Sequence, residues 1–332
     1  MNSSGETEEA DHQTISPDES KDSGMGKYDE GLFLVAGATG KTGAHTVRLL
    51  REQGLRVRAL VRALDNRSDK LREQGAEIVQ GDLLAFADVR EATAGVAAAY
   101  FSYPPGPGYI EAAVNFAQAA SDAGVHAVVE LSQIGVRPDT THIGLQHWIV
   151  ERLFDRTPLV TAHLRPTLFM NWMNNFWIRA GADEGILRLP LAGVRHAPIA
   201  IADQAKVIVA ILQDPDPHDH QIYELFGAKE LDWYEIAAKI QHTLGIRVRY
   251  EPIEVSTMVA ALTVAGGDPN RAHHLGMVTQ DYRDGFYSGF NCFVEEITGS
   301  KPTTVEDHVR ATRASFEADG ELAINDAKLS AL

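Results

Sequence analysis

A glycine-rich turn placed directly after the first apolar run constrains the fold of this chain more than any other feature. The turn, residues 37–43, reads Gly-Ala-Thr-Gly-Lys-Thr-Gly; it follows the run Leu32–Ala36 and leads into an amphipathic stretch. Glycines at this spacing let the backbone turn tightly and bring a helix N-terminus close to a pyrophosphate. We predict a dinucleotide-binding turn whose contacts come from Gly37, Thr39, Gly40, Lys41, Thr42 and Gly43.

The pair Lys41-Thr42 also resembles the end of a P-loop, the phosphate-binding loop of many ATPases. A P-loop has the pattern GxxxxGK[ST], whereas only Ala38 and Thr39 separate Gly37 from Gly40. The spacing therefore excludes a P-loop ATPase.

Short apolar runs alternate with amphipathic stretches from Gly31 to Arg165, which is typical of βαβ units around a parallel sheet. The predicted strands are Leu32–Ala36, Val57–Val61, Ala76–Val79, Ala97–Phe101, Ala127–Leu131 and Val160–Leu164. The predicted helices are Thr42–Gln53, Asp65–Gln74, Asp88–Thr93, Tyr109–Ala123 and Leu145–Phe154, and Gly54 and Gly124 stand where two of them should end.

After Arg165 the alternation loosens, because several prolines divide the chain into shorter pieces. The elements predicted there are a helix at Asp203–Gln213, a strand at Gln221–Leu225, a helix at Asp232–Leu244, a strand at Arg247–Glu251, and helices near Val255–Val264, Val278–Ile297 and Val305–Phe316. We predict an α/β fold, a Rossmann-type doubly wound parallel sheet with a smaller α+β C-terminal cap. Residues 29–165 form the dinucleotide-binding domain, and residues 166–318 complete the sheet and form the substrate or cap region.

The negative charge of the chain is unevenly distributed. The 332 residues include 46 Asp and Glu and 30 Lys and Arg, for a net charge of −16, of which −7 falls in residues 1–30. Few apolar side chains accompany those acids, so we expect residues 1–28 to form a disordered acidic tail and residues 319–332 a flexible C-terminal tail. An acidic surface repels phosphate backbones, so nucleic-acid binding is disfavoured.

Cysteine content and hydropathy bear on the compartment. The single cysteine, Cys292, can form no internal disulfide, and no apolar run approaches the roughly 18 residues that cross a bilayer. The polar N-terminus also lacks the features of a secretory signal. We therefore expect a cytoplasmic protein that does not enter membranes.

The end of the second predicted strand selects the cofactor. A carboxylate at this position binds the ribose hydroxyl of NAD, whereas an arginine accommodates the extra phosphate of NADP. This strand ends at Arg62, close to the expected distance from Gly43, so we predict NADP(H). Asp82 and Leu83 follow the third strand and are assigned to the adenine end, although Asp82 is equally suited to capping the next helix.

With these residues placed, the chain resembles the NmrA-like family of atypical short-chain dehydrogenases/reductases over about residues 31–318. The ordered landmarks are the glycine turn, Val57-Arg58-Ala59-Leu60-Val61-Arg62, Gly81-Asp82-Leu83, Leu131-Ser132, His147-xxx-Glu151, Leu164-Arg165-Pro166 and Pro302-Thr303-Thr304-Val305. The resemblance implies a Rossmann domain that binds NADP(H) and a small C-terminal substrate or regulatory region. Some members reduce quinones or other small molecules, and others only sense the NADPH/NADP ratio.

The chain departs from the wider superfamily at its catalytic pair. Conventional members use Tyr-xxx-Lys, in which the lysine lowers the pKa of the tyrosine so that it transfers a proton near neutrality. Neither Tyr nor Lys occurs between Ser132 and Arg165. Many NmrA-like proteins place a lysine four residues before a helical glutamate, where this chain has His147.

Three polar side chains are candidates for chemistry. An imidazole titrates near neutrality, so His147 could act as an acid or contact the ribose, with a buried structural histidine as the alternative. Ser132 and Tyr103 follow two strands at the expected nicotinamide edge and could bind the acceptor oxygen. A local turn at Ser132 and a rigid, chemically inert loop at Tyr103 stay open as alternatives. His142 is a weaker candidate.

An aromatic and amide-rich segment follows Pro166. Aromatic walls with a few polar groups suit a flat conjugated substrate, and the alternative is a core that joins the two halves of the chain. The residues assigned to the substrate are Thr167, Phe169, Asn171 and Trp172. We predict no metal site, because the acids and histidines at 214–220 read better as a solvated turn, and we expect Cys292 to be a core residue.

These observations favour an NADPH-dependent reductase of a small planar carbonyl, enone or quinone. The alternatives are a non-catalytic NADP(H)-sensing regulator that binds a protein partner, and an isomerase or lyase that retains its cofactor. We expect a small-molecule substrate, and a protein partner or a homodimer stays open.

Overall fold

The computed structural model describes residues 31–140, 142–264 and 269–317. The predicted tails, residues 1–28 and 319–332, and the side chain of His142 lie outside the described part of the chain. No helix within the described ranges combines the length and the apolar character that a bilayer crossing requires.

The strands form two sheets. They are β1 (Leu32–Ala36), β2 (Arg56–Val61), β3 (Glu77–Gln80), β4 (Ala98–Phe101), β5 (Ala127–Leu131), β6 (Val160–Pro166), β7 (Trp177–Gly181), β8 (Glu184–Leu189), β9 (Gln221–Leu225) and β10 (Arg247–Pro252). Seven parallel strands in the order β3-β2-β1-β4-β5-β6-β9 form the large sheet, and β10-β8-β7 form the small one. The strand order reverses between β1 and β4, which opens a crevice at their carboxyl ends.

The α-helices are α1 (Lys41–Glu52), α2 (Asn66–Glu73), α3 (Phe86–Thr93), α4 (Tyr109–Asp122), α5 (His142–Phe154), α6 (Trp172–Asn175), α7 (Ile201–Gln213), α8 (Trp233–Leu244), α9 (Val255–Val264), α10 (Pro269–Arg283), α11 (Phe293–Thr298), α12 (Val305–Ala311) and α13 (Arg313–Glu317). α1, α7 and α11 pack on one face of the large sheet, and α3, α4 and α5 cover the other. The predicted doubly wound α/β fold is therefore confirmed.

Local sequence explains where these elements begin and end. Every residue of β1 is buried, as expected for a parallel strand covered on both faces. Asp65 and Asp232 cap α2 and α8 through capping boxes, each accepting a hydrogen bond from the backbone three residues on. Gly54 and Gly124 follow the ends of α1 and α4 with φ of +79° and +68°, which confirms their predicted role.

A cap of mixed helices and strands follows β6. β7 and β8 pair antiparallel, and β10 pairs with β8 in parallel. A separate apolar cluster fills this region and includes Trp177, Trp233 and Phe316. Gly185 lies under the Trp177 ring, so that a Cβ there would overlap it. The chain passes from the cap back to the large sheet and returns, because α7 and β9 of the large sheet lie between the cap strands β8 and β10 in the sequence.

The structure corrects two predictions in the cap and adds the hairpin β7–β8, which the sequence patterns do not indicate. The helix predicted at Val278–Ile297 is wrong, because α10 ends at Arg283 and α11 begins only at Phe293; Gly285 and Gly289 between them have φ of +88° and +137°. The prediction of a core position for Cys292 is also wrong, since its side chain is exposed at the start of α11.

Gly227 provides a test of the junction between the sheet and the cap. A Cβ at this position would overlap the Pro198 carbonyl oxygen, a backbone atom that cannot rotate away. We expect Gly227→Ala to lower the free energy of unfolding by about 1–3 kcal/mol, measured by urea denaturation. Gly181→Ala, whose Cβ would meet open space, is the matched control. Equal stability of the two variants would contradict the assignment.

Candidate functional site

The glycine turn joins β1 to α1 at the carboxyl edge of the large sheet. Gly37 has a φ of +73°, and a Cβ on it would lie 2.8 Å from the Ser102 carbonyl oxygen. A Cβ on Gly43 would overlap the carbonyl oxygen of Gly37, which accepts a hydrogen bond from the Gly40 backbone N–H at 2.9 Å. Only glycine fits at positions 37 and 43, so backbone lines the turn where a side chain would otherwise stand.

The N-terminus of α1 faces this turn. Gly40 occupies the N-cap and supplies no side-chain acceptor for the first-turn N–H groups. Those groups and the helix dipole suit an anion. Thr39 and Lys41 are half-buried at the mouth of the turn. The Thr42 hydroxyl points inward and donates to Gln204 Oε1 at 3.3 Å, so Thr42 can offer a phosphate its backbone rather than its side chain.

A second part of the site lies beyond β2 and β3. Arg62 follows the last residue of β2. Its backbone carbonyl accepts from Gln80 Nε2 at 3.4 Å, but its side chain is exposed and forms no hydrogen bond or ion pair with any residue that the structure describes. Asp82 follows β3, and its Oδ1 accepts from the Leu84 backbone N–H at 3.0 Å. The Leu83 side chain is buried in the core between α3 and α4, so only its backbone is near the crevice. Asp82 therefore holds its own loop and does not cap α3, which starts at Phe86.

Tyr103 belongs to this part of the site. Its hydroxyl lies over Gly108, where an added Cβ would be 3.0 Å away. Burial raises the pKa of the Tyr103 phenol, the charge of Asp82 raises it further, and the charge of Arg62 lowers it. The same added Cβ would be 3.0 Å from the Leu84 side chain, and the Tyr103 ring stacks 6.4 Å from the Tyr109 ring, so Tyr103 lies between the loop after β3 and the start of α4.

Ser132 lies at the end of β5 in a buried ionic cluster. Its Oγ donates to Glu151 Oε1 at 2.7 Å. Arg165 donates to both oxygens of the same carboxylate at 2.8 and 2.6 Å, and Arg152 donates to Oε2 at 2.9 Å. Glu151 is fully buried, so these donors replace the water it has lost. The single hydroxyl proton of Ser132 is thus used in its hydrogen bond to Glu151.

His147 lies one helical turn before Glu151 on α5 and is also buried. Its Nδ1 is 2.8 Å from the Tyr109 hydroxyl, which donates to Glu130 Oε1 at 2.8 Å. Glu130 Oε2 is 3.1 Å from His163 Nδ1, and His163 Nε2 is 2.9 Å from Asp155 Oδ1. We call these five residues the buried chain. It runs from the candidate catalytic histidine down the inner face of β5 and β6.

The charges within the buried chain are fixed by its own hydrogen bonds. Burial would raise the pKa of the Glu130 carboxyl, but the hydrogen bonds and charges of His147 and His163 outweigh it and lower the pKa from 4.5 to about 2. Burial would lower the pKa of His163, but Asp155 and Glu130 outweigh it and raise the pKa from 6.5 to about 9. At neutral pH the chain therefore holds an ionised Glu130 and a protonated His163.

The segment after Pro166 is largely buried. Thr167, Asn171 and Trp172 are nearly inaccessible, and the Trp172 ring lies 5.4 Å from that of Phe176 in the core of the cap. Phe169 is half-buried and lies between the core of the cap and that of the sheet. Much of this aromatic segment thus joins the two halves of the chain, and Phe169 is its most accessible aromatic ring before α6.

A cavity of about 510 Å³ opens where the carboxyl ends of β6 and β9 meet the cap. Met170, Leu231 and Val305 form apolar parts of its lining, and Lys239 and Glu306 form an ion pair there at 2.5 Å. Its volume is within the range of small-molecule sites.

The loop after β5 is attached to the cap beside the site. The guanidinium carbon of Arg137 lies 3.5 Å from the centre of the Phe286 ring, and its Nη2 is 3.4 Å from Asp281 Oδ1. This loop begins at Ser132, so the cap contacts the same segment that carries a candidate site residue.

A family model described as the NmrA-like family matches residues 29–296. The chain belongs to the NmrA-like family. The resemblance drawn from the sequence motifs is thus confirmed.

Relatives of this NmrA-like chain include enzymes and a regulator. It is 27% identical over 289 residues to an NAD(P)H azoreductase of Xenophilus azovorans, covering 86% of this chain and all of the relative. An Escherichia coli NADPH-dependent quinone oxidoreductase, solved with NADPH, has a TM-score of 0.73 and 21% identity, covering 84% of this chain and 99% of that one. NmrA, a negative transcriptional regulator, has a TM-score of 0.71 and 15% identity, covering 85% and 95%. The two structures confirm the fold, and the names of the two enzymes agree with the predicted cofactor.

The sequence patterns do not single out four members of the buried chain in this NmrA-like protein. They are Tyr109, Glu130, Asp155 and His163. Glu130 and His163 each interrupt an otherwise apolar strand, which is a signal that the sequence does carry. Their pairing depends on the register of β5 with β6, which places them opposite each other.

The protonated state of His163 predicts a pH dependence of stability. A raised pKa stabilises the fold fully below the unfolded value of 6.5, and this contribution is lost as the pH rises from 6.5 towards 9. We expect the difference in free energy of unfolding between wild type and His163→Gln to shrink over that range by on the order of 2 kcal/mol, measured by urea denaturation. The exposed His242→Gln is the control, and a difference that stays constant from pH 6.5 to 9 would refute the assignment.

Proposed function

We propose that this chain is an NADPH-dependent reductase of a small planar acceptor, of the carbonyl, enone, quinone or azo class. The observation that carries the proposal is the glycine turn, whose backbone and uncapped helix N-terminus open at the same sheet edge as His147. The exposed Arg62 side chain, which has no partner among the described residues, lies at the β2 end of that edge.

The residues present fit NADP(H). Its pyrophosphate would lie on the turn at Gly37–Gly43, where an added Cβ would clash with backbone. Its extra phosphate would pair with Arg62. The Tyr103 hydroxyl lies beside Leu84 in the loop after β3, and its ring stacks 6.4 Å from that of Tyr109, so we propose Tyr103 as a cofactor contact at this edge of the sheet. When bound, NADPH supplies a hydride.

His147 is the residue we propose to handle the proton. Ser132 was the rival donor, but its single hydroxyl proton is used by Glu151. Ser132 can then only accept a hydrogen bond, which suits a positioning role. The Nε2 of His147 has no hydrogen-bond partner among the residues that the structure describes, and 5% of the side chain is exposed. That nitrogen can donate a proton to the oxygen or nitrogen of a reduced acceptor.

Part of the lining of the neighbouring cavity supports this class of acceptor. Phe169 and the apolar side chains Met170, Leu231 and Val305 suit a flat, conjugated molecule, while charged side chains such as Lys239 and Glu306 line the rest. The names of the relatives support the same class, because azo compounds and quinones are both planar electron acceptors.

A regulator that senses NADP(H) is the second candidate. The missing Tyr-xxx-Lys pair favours it, and NmrA shares the fold. The two functions differ in one measurable property, since a regulator binds NADPH without oxidising it.

Arg62 tests the cofactor assignment. A hydrogen bond to a charged group contributes about 1.5–3 kcal/mol, so we expect Arg62→Ala to raise the Kd for NADPH by about tenfold to a hundredfold and to leave the Kd for NADH unchanged. Fluorescence titration measures both. Arg56→Ala, at the opposite end of β2, is the matched control. Equal weakening of the two cofactors would remove Arg62 from its role.

Turnover separates the two candidate functions. We expect wild type to oxidise NADPH, followed at 340 nm, with at least one member of a panel of quinones, enones and azo compounds. His147→Ala should lower kcat by roughly a hundredfold or more with little change in the Kd for NADPH. Tight NADPH binding without turnover across the panel would reject the reductase and favour the regulator.

A further inference from the structure

The buried chain places two charged groups where apolar side chains would stabilise the fold better. Glu130 and His163 are fully buried on the face of the sheet that packs against α4 and α5. Replacing a buried ion pair with apolar residues is often neutral or stabilising. Stability alone therefore does not explain this pair, and its connection to His147 through Tyr109 offers a reason.

The hydrogen bonds of the chain run in one direction. Protonated His163 has an N–H on both ring nitrogens, and it donates to Glu130 Oε2 and Asp155 Oδ1. Ionised Glu130 can only accept, so it takes the single proton of the Tyr109 hydroxyl on Oε1. The Tyr109 oxygen has no second proton to offer and must accept from its other neighbour. That neighbour is His147 Nδ1, at 2.8 Å.

We propose that Tyr109, Glu130 and His163 are positioning residues that fix His147 as the tautomer protonated on Nδ1, so that Nε2 is the atom that exchanges protons in the site. This inference rests on the proposed reductase function. In each turnover the N–H bond at Nε2 of the protonated ring breaks, and a new O–H or N–H bond forms on the acceptor. The electrons come as hydride from NADPH, and water later returns one proton to Nε2, while the Nδ1 proton stays in place.

The location of His147 on α5 agrees with this role. α5 runs antiparallel to the strands, and Glu151 on its next turn is tied to Ser132 at the end of β5. His147 therefore lies nearer than Glu151 to the open carboxyl edge. The Tyr109 ring packs at 4.6 Å from the imidazole, which limits rotation of the ring.

The outer end of the chain is also fixed. Asp155 Oδ1 accepts from the Thr161 hydroxyl at 3.1 Å and lies 3.1 Å from Nδ1 of His220. Within the described ranges, His220 is the one residue other than glycine with a positive φ, at +56°. Such a conformation costs on the order of 1 kcal/mol. The strained residue is the one whose side chain contacts Asp155. Asp155 in turn helps to keep His163 protonated on both ring nitrogens.

Glu130→Gln is the decisive substitution. His163 still donates to the side-chain oxygen, so the amide nitrogen of Gln faces Tyr109 and becomes a donor. The Tyr109 proton then turns to His147 Nδ1 and forces the opposite tautomer, protonated on Nε2. Nitrogen NMR of labelled imidazoles in the protein without cofactor should show Nδ1–H in wild type and Nε2–H in the variant. A neutral ring that donates its Nε2 proton would leave an imidazolate, so the variant's tautomer is a far weaker acid than the imidazolium that forms when Nδ1 keeps its proton. General acid catalysis contributes about 10²–10⁴ in rate, so we expect kcat to fall by at least about a hundredfold with the Kd for NADPH within twofold.

Two further variants keep the test decisive if Glu130→Gln folds poorly. Tyr109→Phe removes the hydroxyl that links Glu130 to His147 through hydrogen bonds. It should give a mixture of His147 tautomers and a lower kcat at unchanged acceptor KM. Tyr223→Phe removes a tyrosine–histidine hydrogen bond of similar length, 2.7 Å to His218, outside the chain. It should change neither the tautomer nor kcat.

The NMR measurement separates this inference from the proposed function. A wild type that turns over no acceptor refutes the reductase, while the tautomer still tests the chain. Nε2–H in wild type, or the same tautomer in wild type and in both Glu130→Gln and Tyr109→Phe, would overturn the positioning role.

Discussion

The desolvation of two carboxylates, Glu130 and Glu151, governs how the carboxyl half of the large sheet is assembled. Each is fully buried, and a buried charge is tolerated only when donors replace its lost water. Arg165, Arg152 and Ser132 do so for Glu151. Those donors come from β6, α5 and the end of β5, and the donors to Glu130 come from α4 and β6. The two carboxylates therefore fix the positions of β5, β6, α4 and α5 relative to one another. The positions of the site residues on these elements depend on that arrangement.

Much of the large sheet could be predicted because most of its strands are largely apolar. β1, β5 and β9 have the same limits in the sequence and in the structure. The β7–β8 hairpin was missed since it depends on a contact absent from local sequence, the Trp177 ring over Gly185. Likewise, the Arg62 position follows from spacing alone, whereas the Tyr109–Glu130–His163 connection needs three elements to meet. Features such as this hairpin and this connection are decided by contacts between distant parts of the chain, and local sequence propensity does not predict them.

In the function that we propose, the site differs from a conventional Tyr-xxx-Lys site in how it prepares its proton donor. A lysine acts on a tyrosine directly through its charge. Here a tyrosine stands between the histidine and a carboxylate, and the nearest cation is another histidine. The arrangement controls the direction of hydrogen bonds rather than the strength of one acid. The same fold occurs in the Escherichia coli quinone oxidoreductase and in the regulator NmrA.

The contact of Arg137 with Phe286 and Asp281 ties the loop after β5 to the segment that follows the long cap helix α10. Because the same loop starts at Ser132, a ligand that binds against it and favours this arrangement also stabilises the cap, by RT ln(1 + [L]/Kd). The affinity for this ligand and the stability of the cap are then thermodynamically linked, so that a change in one changes the other. Substitutions in the cap that weaken this contact would therefore change the affinity for the acceptor, although they lie far along the chain from the glycine turn.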